Sequence, residues 1–215
     1  MKTCLVGCGG IAAVHGSVLT SGIDTEFVAA ADIKLEKAQS YAENFHTKPY
    51  PSLESMLEAE KPDVLHICTP HYLHVPMAIY SLERNINVFM EKPPAISFDQ
   101  LEELKKAAAK SEAQLGFCYQ NRYNASIRAA KDLIDSGKAG KVLGARAFVT
   151  WCRGAAYYTE SGWRGSLKTE GGGVLINQSV HTQDLLCFLL GDPTAVDATT
   201  VSYTHLRAHE TLMNL

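Results

Sequence analysis

The chain has 215 residues, of which 46% are hydrophobic and 20% charged, and a net charge of −3. That balance suits a globular protein long enough to bury a core. No basic patch points to nucleic acid, and no apolar run approaches the ~20 residues of a membrane span. The first strand begins almost at Met1, which leaves no room for a leader and predicts a cytoplasmic location. The six cysteines, at 4, 8, 68, 118, 152 and 187, read as small buried residues of a reducing compartment. Cys4 and Cys8 have no second pair at metal-ligand spacing, so no metal site is expected.

Lys2 to Val6 reads as a short buried strand. Gly7-Cys8-Gly9-Gly10-Ile11-Ala12 follows, then a helical pattern from Ala13 to Ser21. This is G-x-G-x-x-A between a strand and a helix. The first glycine makes the tight turn, the second lets backbone approach a pyrophosphate, and the small third residue lets helix and strand pack closely. The helix amino end supplies free N–H groups for phosphates. Glu26 to Ala31 is a second strand ending in Asp32, which lies 20 residues past Ala12. An acidic side chain there accepts from the adenosine ribose hydroxyls and repels a 2′-phosphate, so NAD is favoured over NADP.

The alternation continues. Lys34 to Phe45 and Ser52 to Ala59 are predicted helices, Asp63 to Cys68 a buried strand, and Tyr72 to Arg84 a helix. Ile86 to Met90 is a strand, Ser97 to Ser111 a helix opened by a Ser97/Gln100 capping box, and Gln114 to Tyr119 a further strand. Strands alternating with helices predict an α/β protein with a doubly wound parallel sheet. Gly7, Asp32, Thr69, Glu91 and Tyr119 each fall at a strand's carboxyl end, where such sheets bind ligands. Lys92, in Glu91-Lys92-Pro93, would then stand beside the reactive ring of a bound dinucleotide.

The second half changes character. Asn124 to Ser136 is a predicted helix, and Lys141 to Arg153 a longer β-rich segment. Residues 155–168 are irregular and aromatic, and Gly171-Gly172-Gly173 precedes a helix from Val174 to Leu190. On one continuous helix Asn177 and His181, spaced i, i+4, share a face. A histidine on an apolar helix is usually a satisfied core residue. The triple glycine, which permits close approach of a ligand, and the asparagine one turn earlier favour a functional pair.

The stretches GCGGIAAVH (7–15), ADIKLEKA (31–38), CTPHYLH (68–74), EKPPA (91–95), GFCYQNRYN (116–124) and GGGVLINQSVHTQDLL (171–186) resemble the glucose–fructose oxidoreductase / inositol dehydrogenase (Gfo/Idh/MocA) family, in the family's order. The resemblance implies a Rossmann domain over residues 1–120. It also implies the start of a substrate and oligomerisation α/β domain with an open mixed sheet over 121–200. It implies NAD(P)-dependent oxidation of a secondary alcohol of a sugar, cyclitol or sugar nucleotide, or reduction of the ketone, in a homo-oligomer (dimer or tetramer). Carried over, Gly7, Gly9, Gly10, Ile11 and Asp32 hold the dinucleotide. Thr69, Pro70 and His74 border the nicotinamide, with Glu91 nearby. Lys92 contacts nicotinamide ribose and substrate hydroxyl. His181 matches the family histidine, and Asn177 takes a position where many members have Asp, so it orients substrate rather than sharing a proton. Both Lys92 and His181 are candidate bases, with His181 preferred as proton acceptor and Lys92 as the cation that orients the hydroxyl. Tyr158, Trp163 and Arg164 are candidates for sugar contact, and equally for ordinary core aromatics with a surface arginine. Arg122 and Arg153 share that ambiguity. A non-catalytic dinucleotide- or sugar-binding regulator on the same fold is the alternative function.

Residues 201–215 fit neither the sheet pattern nor the family and read like a translated sequencing adapter. On that reading the second domain is cut short, its sheet is left with an unpaired edge, and the chain as written aggregates and binds NAD weakly.

Overall fold

The computed structural model describes residues 1–22 and 24–199; the adapter-like stretch lies outside them. The chain falls into two compact units, Met1–Cys118 and a second that begins at Tyr119. Each has its own character.

In the first unit, strands β1 (Lys2–Val6), β2 (Glu26–Ala31), β3 (Lys48–Tyr50), β4 (Val64–Ile67), β5 (Asn87–Met90) and β6 (Leu115–Phe117) form one parallel sheet in the order β3-β2-β1-β4-β5-β6. The strand order reverses between β1 and β4, which opens a crevice at the carboxyl ends. Thr3 to Val6 are buried without alternation, as befits a strand covered on both faces. Helices α1 (Ala12–Leu19), α2 (Leu35–Phe45), α3 (Leu53–Glu60), α4 (His74–Leu82) and α5 (Phe98–Lys110) supply the covers. One core joins Cys4, Val6, Ile67, Val88 and Met90 to Val75, Leu82 and Leu104. A second joins Leu5, Ala30 and Cys68 to Ala12 and Tyr41.

Local sequence explains most boundaries. Ser52 Oγ accepts the Ser55 N–H at 3.1 Å and opens α3. Ser97 Oγ accepts the Gln100 N–H at 3.2 Å and opens α5. The capping box is closed one residue early, because Gln100 Oε1 accepts from the Ile96 N–H rather than from Ser97. The helix expected from Tyr72 begins as a 3₁₀ turn, His71–Leu73, before α4. Strand β3 is absent from the sequence reading: Lys-Pro-Tyr is short and carries a proline, which only a sheet edge tolerates.

The second unit holds α6 (Ala125–Asp135), α7 (Ala155–Thr159), α8 (Val174–Asn177) and α9 (Val180–Leu190). Two expectations are corrected there. Lys141 to Arg153 forms no strand, and no mixed sheet exists among the described residues of this unit. A strand exists only by hydrogen bonding to a neighbour, and none of the described residues offers this segment one. Leu143 and Phe148 are accordingly 90% and 78% exposed, and Cys152 on the same segment is exposed rather than buried. The single helix expected from Val174 to Leu190 is broken at Gln178-Ser179. The Ser179 N–H reaches back five residues to the Val174 carbonyl at 2.8 Å. Ser179 Oγ and Gln183 Nε2 donate to the Leu175 carbonyl at 3.1 and 2.9 Å, where side chains take over a helix acceptor.

Candidate active site

The crevice begins at the glycine turn. Gly7 has φ +92°, and a Cβ on it would meet the backbone of Cys68 and Thr69 at 2.8 Å. Only glycine fits between β1 and β4 there. A Cβ on Gly9 or Gly10 would meet nothing within 4 Å, so this stretch of backbone is open to a ligand. Ile11 stands as the N-cap of α1 and is exposed, while Ala12 behind it is buried against the sheet. Gly16 makes a close approach that the motif does not announce: its Cβ would lie 2.5 Å from Tyr41 Oη. Tyr41 Oη donates to the Ala12 carbonyl at 2.8 Å and clamps α2 to the start of α1.

Asp32 sits just past β2. Its carboxylate accepts the Cys8 N–H at 2.9 Å through Oδ2 and the Lys34 N–H at 2.9 Å through Oδ1. It thus shapes the glycine turn. Past β4, Thr69 Oγ1 is a buried hydroxyl with no hydrogen-bond partner among the described residues. Such an atom is costly unless a ligand or water satisfies it. Pro70, half-buried, precedes the 3₁₀ turn. An orphan hydroxyl, an open glycine turn and a ribose-height carboxylate on one row of strand ends fit a dinucleotide.

His74 departs from its expected place. It is fully buried, with Nδ1 2.8 Å from the Pro93 carbonyl and Nε2 3.0 Å from the Thr69 carbonyl. Burial pushes its pKa down against the pull of those carbonyls. The ring therefore braces the Thr69 and Pro93 loops.

Glu91 and Lys92 end β5. Glu91 is buried, and its Oε1 lies 3.0 Å from Nε2 of His15 on α1. Glu91 Oε2 accepts the backbone N–H of the half-buried Lys92 at 3.3 Å. Burial favours the neutral acid, but the His15 hydrogen bond and charge, the Cys118 thiol and Lys92 together hold the Glu91 pKa below the usual carboxylate value. His15, Glu91 and Cys118 offer ligand atoms within 4.8 Å of one another. Sequence reading gave His15 and His66 no role; a histidine inside the apolar run of β4 was the available signal.

In the second unit Asn177 and His181 are both buried, on α8 and α9 rather than on one continuous helix. Both hydrogens of the Asn177 amide meet protein acceptors: Glu170 Oε1 at 2.5 Å and Tyr157 Oη at 3.3 Å. Glu170, 1% exposed, also accepts the Gly165 N–H at 2.6 Å. Sequence reading missed this carboxylate, although it directly precedes the triple glycine. His181 stands edge-on to Tyr119, with ring centroids 6.2 Å apart. Arg122, an ambiguous candidate in sequence, is a structural residue: it forks onto Asp184, Nε to Oδ2 at 2.8 Å and Nη2 to Oδ1. Arg164, half-buried, stacks over Tyr157 and Trp163 at 4.3 and 4.5 Å, and Arg153 lies 5.1 Å from the Tyr157 ring. Tyr158 packs edge-on to Tyr157 at 5.0 Å. Trp163 and Tyr158 are half-buried.

Comparison with known proteins matches this geometry. Residues 1–119 match the oxidoreductase family with an NAD-binding Rossmann fold, and residues 127–213 match the GFO/IDH/MocA C-terminal domain. The second match runs across the stretch from residue 201 that was expected to stand outside the family. D-glucoside 3-dehydrogenase of Escherichia coli is 29% identical over 197 residues, which are 90% of this chain and 55% of that protein. A 1,5-anhydro-D-fructose reductase of Ensifer adhaerens is 30% identical over 194 residues, 89% of this chain and 56% of that one. The WlbA dehydrogenase of Chromobacterium violaceum, solved with NADH and UDP-GlcNAcA, superimposes with a TM-score of 0.91 at 32% identity, covering 98% of this chain and 61% of that chain. The chain thus spans little more than half the length of these relatives. With family matches across both units, and the glycine turn, the Glu-Lys-Pro strand end and the buried histidine in place, the chain belongs to the Gfo/Idh/MocA family of oxidoreductases.

Proposed function

We propose that the protein transfers a hydride between NAD and a secondary alcohol or ketone of a sugar, cyclitol or sugar nucleotide. The observation that carries this reading is Lys92 at the carboxyl end of β5, on the same row of strand ends as the Gly7 turn and Asp32, in a chain of this family. The relatives named above act on sugars or were solved with a sugar nucleotide, which supports the substrate class.

Gly7, Gly9, Gly10 and Ile11 receive the pyrophosphate, and Asp32 takes the adenosine ribose and disfavours a 2′-phosphate. Thr69 and Pro70 border the nicotinamide, and His74 fixes their loop. NAD, when bound, supplies the hydride acceptor. Lys92 orients the reacting hydroxyl, Asn177 holds substrate, and His181 accepts the proton. Tyr158, Trp163 and Arg164 contact the sugar. Residues 1–120 serve the dinucleotide, and those from 121 serve substrate and assembly into a cytoplasmic homo-oligomer.

The test is Lys92→Met in the full-length protein, assayed with NAD against a panel of sugars and cyclitols. Turnover should vanish while NADH affinity, read by fluorescence, stays within about threefold. Unchanged turnover rejects the role of the lysine. NADH binding without turnover by the wild type on any substrate supports the regulatory alternative.

A further inference from the structure

Behind Lys92 lies a continuous polar chain in the first unit. His15 and Glu91 are 6% and 7% exposed. His15 Nδ1 lies 2.9 Å from Nδ1 of His66 on β4, and the two rings meet edge to face at 5.2 Å. The half-buried Phe89 packs against both rings, at 6.0 and 5.1 Å. The far nitrogen of His15 faces Glu91, and the far oxygen of Glu91 faces the Lys92 amide.

The chemistry of these atoms orders the protons. An ionised carboxylate only accepts, so His15 Nε2 carries its hydrogen. The two Nδ1 atoms of His15 and His66 share one hydrogen between them. Burial, and then His15, hold the His66 pKa down at about 4, so His66 is neutral near pH 7. Each link fixes the next. The His15 hydrogen bond stops the Glu91 carboxylate from rotating, and the fixed carboxylate holds the backbone amide of the lysine.

We propose that His15 is a positioning residue for Lys92, acting through Glu91. It ties α1, whose amino end faces the pyrophosphate place, to the backbone that carries the lysine. The inference rests on the role given to Lys92 above. A buried carboxylate that lost its partner would turn toward solvent or take up a proton, and the Lys92 amide would lose its acceptor with it.

The experiment compares wild type, His15→Leu, His15→Gln and Lys92→Met variants of the full-length protein. His15→Leu should lower kcat by roughly tenfold or more while sugar KM and NADH Kd move less than about threefold. His15→Gln, which keeps a donor toward Glu91, should recover most of the loss. A kcat within about twofold of wild type in His15→Leu overturns the proposal. So does an equal loss in His15→Gln, or a loss matched by weaker NADH binding. Full turnover in Lys92→Met rejects the lysine assignment itself, a different failure. Nitrogen-15 NMR of labelled histidine gives a readout independent of turnover: His15 should carry a proton on Nε2, facing Glu91. A His15 without a proton on Nε2 overturns the chain.

Discussion

Gly7 and Gly9 belong to one motif and face opposite demands. At Gly7 a methyl group would meet the backbone of Cys68 and Thr69, and φ is +92°. Gly7→Ala should therefore destabilise the first unit by about 2 kcal/mol or more, seen as a lower urea midpoint. At Gly9 a methyl group meets no protein atom within 4 Å. Gly9→Ala should leave the midpoint nearly unchanged and weaken NADH binding, because on the proposed function that space receives the pyrophosphate. A matched loss of stability in both variants would show that both glycines serve the fold alone. Asp32 has a double duty that the motif does not reveal, since it accepts from both Cys8 and Lys34.

Among the elements, α3 and α5 owe their starts to single serines. Ser97→Ala removes the acceptor for the Gln100 N–H and should cost about 1 kcal/mol. Ser97→Asp should keep the cap and restore the denaturation midpoint. α1 depends on contact instead: its Gly16 lies against Tyr41 and Phe45. The break between α8 and α9 is also an effect of contacts, made by Ser179 and Gln183 capturing the Leu175 carbonyl. Spacing in sequence placed Asn177 and His181 on one face; these local hydrogen bonds, which periodicity does not encode, divided the helix between them.

At the scale of the molecule, two kinds of buried group set the pH response. Burial and His15 depress the His66 pKa from 6.5 to about 4, and burial depresses that of His74. The unfolded chain therefore binds these protons first. The His66 contribution is complete above pH 6.5 and is lost as pH falls toward about 4, and that of His74 is lost in the same direction. Glu60 is held at about 2 rather than 4.5, first by the Tyr50 hydroxyl and then by Lys48 and Lys2. Its contribution is present above pH 4.5 and is lost as pH falls through about 2. Urea midpoints of the first unit should decline in these two windows. Glu60→Gln should flatten only the lower one, and a variant that declines as wild type does there would remove Glu60 from the account. Leu143, Phe148 and Trp151 stand exposed on one segment. The 215-residue chain by itself should associate through them, and sedimentation showing a monomer at high concentration would contradict this.

Five of the six strands were legible because each is a short apolar run in alternation with helices, and that alternation admits few topologies; the edge strand β3 was not, being short and carrying a proline. The strand-end positions of the first unit were legible for a related reason: Gly7, Asp32, Thr69 and Lys92 are placed by strand ends, which are local events. What tertiary structure alone decided is where contacts distant in sequence outweigh local pattern. His74 became a brace because two loops bring carbonyls to both sides of its ring. His15 and Glu91, 76 residues apart, became one unit because α1 and β5 converge. Lys141 to Arg153 had the composition of a strand, yet composition provides only propensity, and a strand forms when a neighbour accepts its hydrogen bonds.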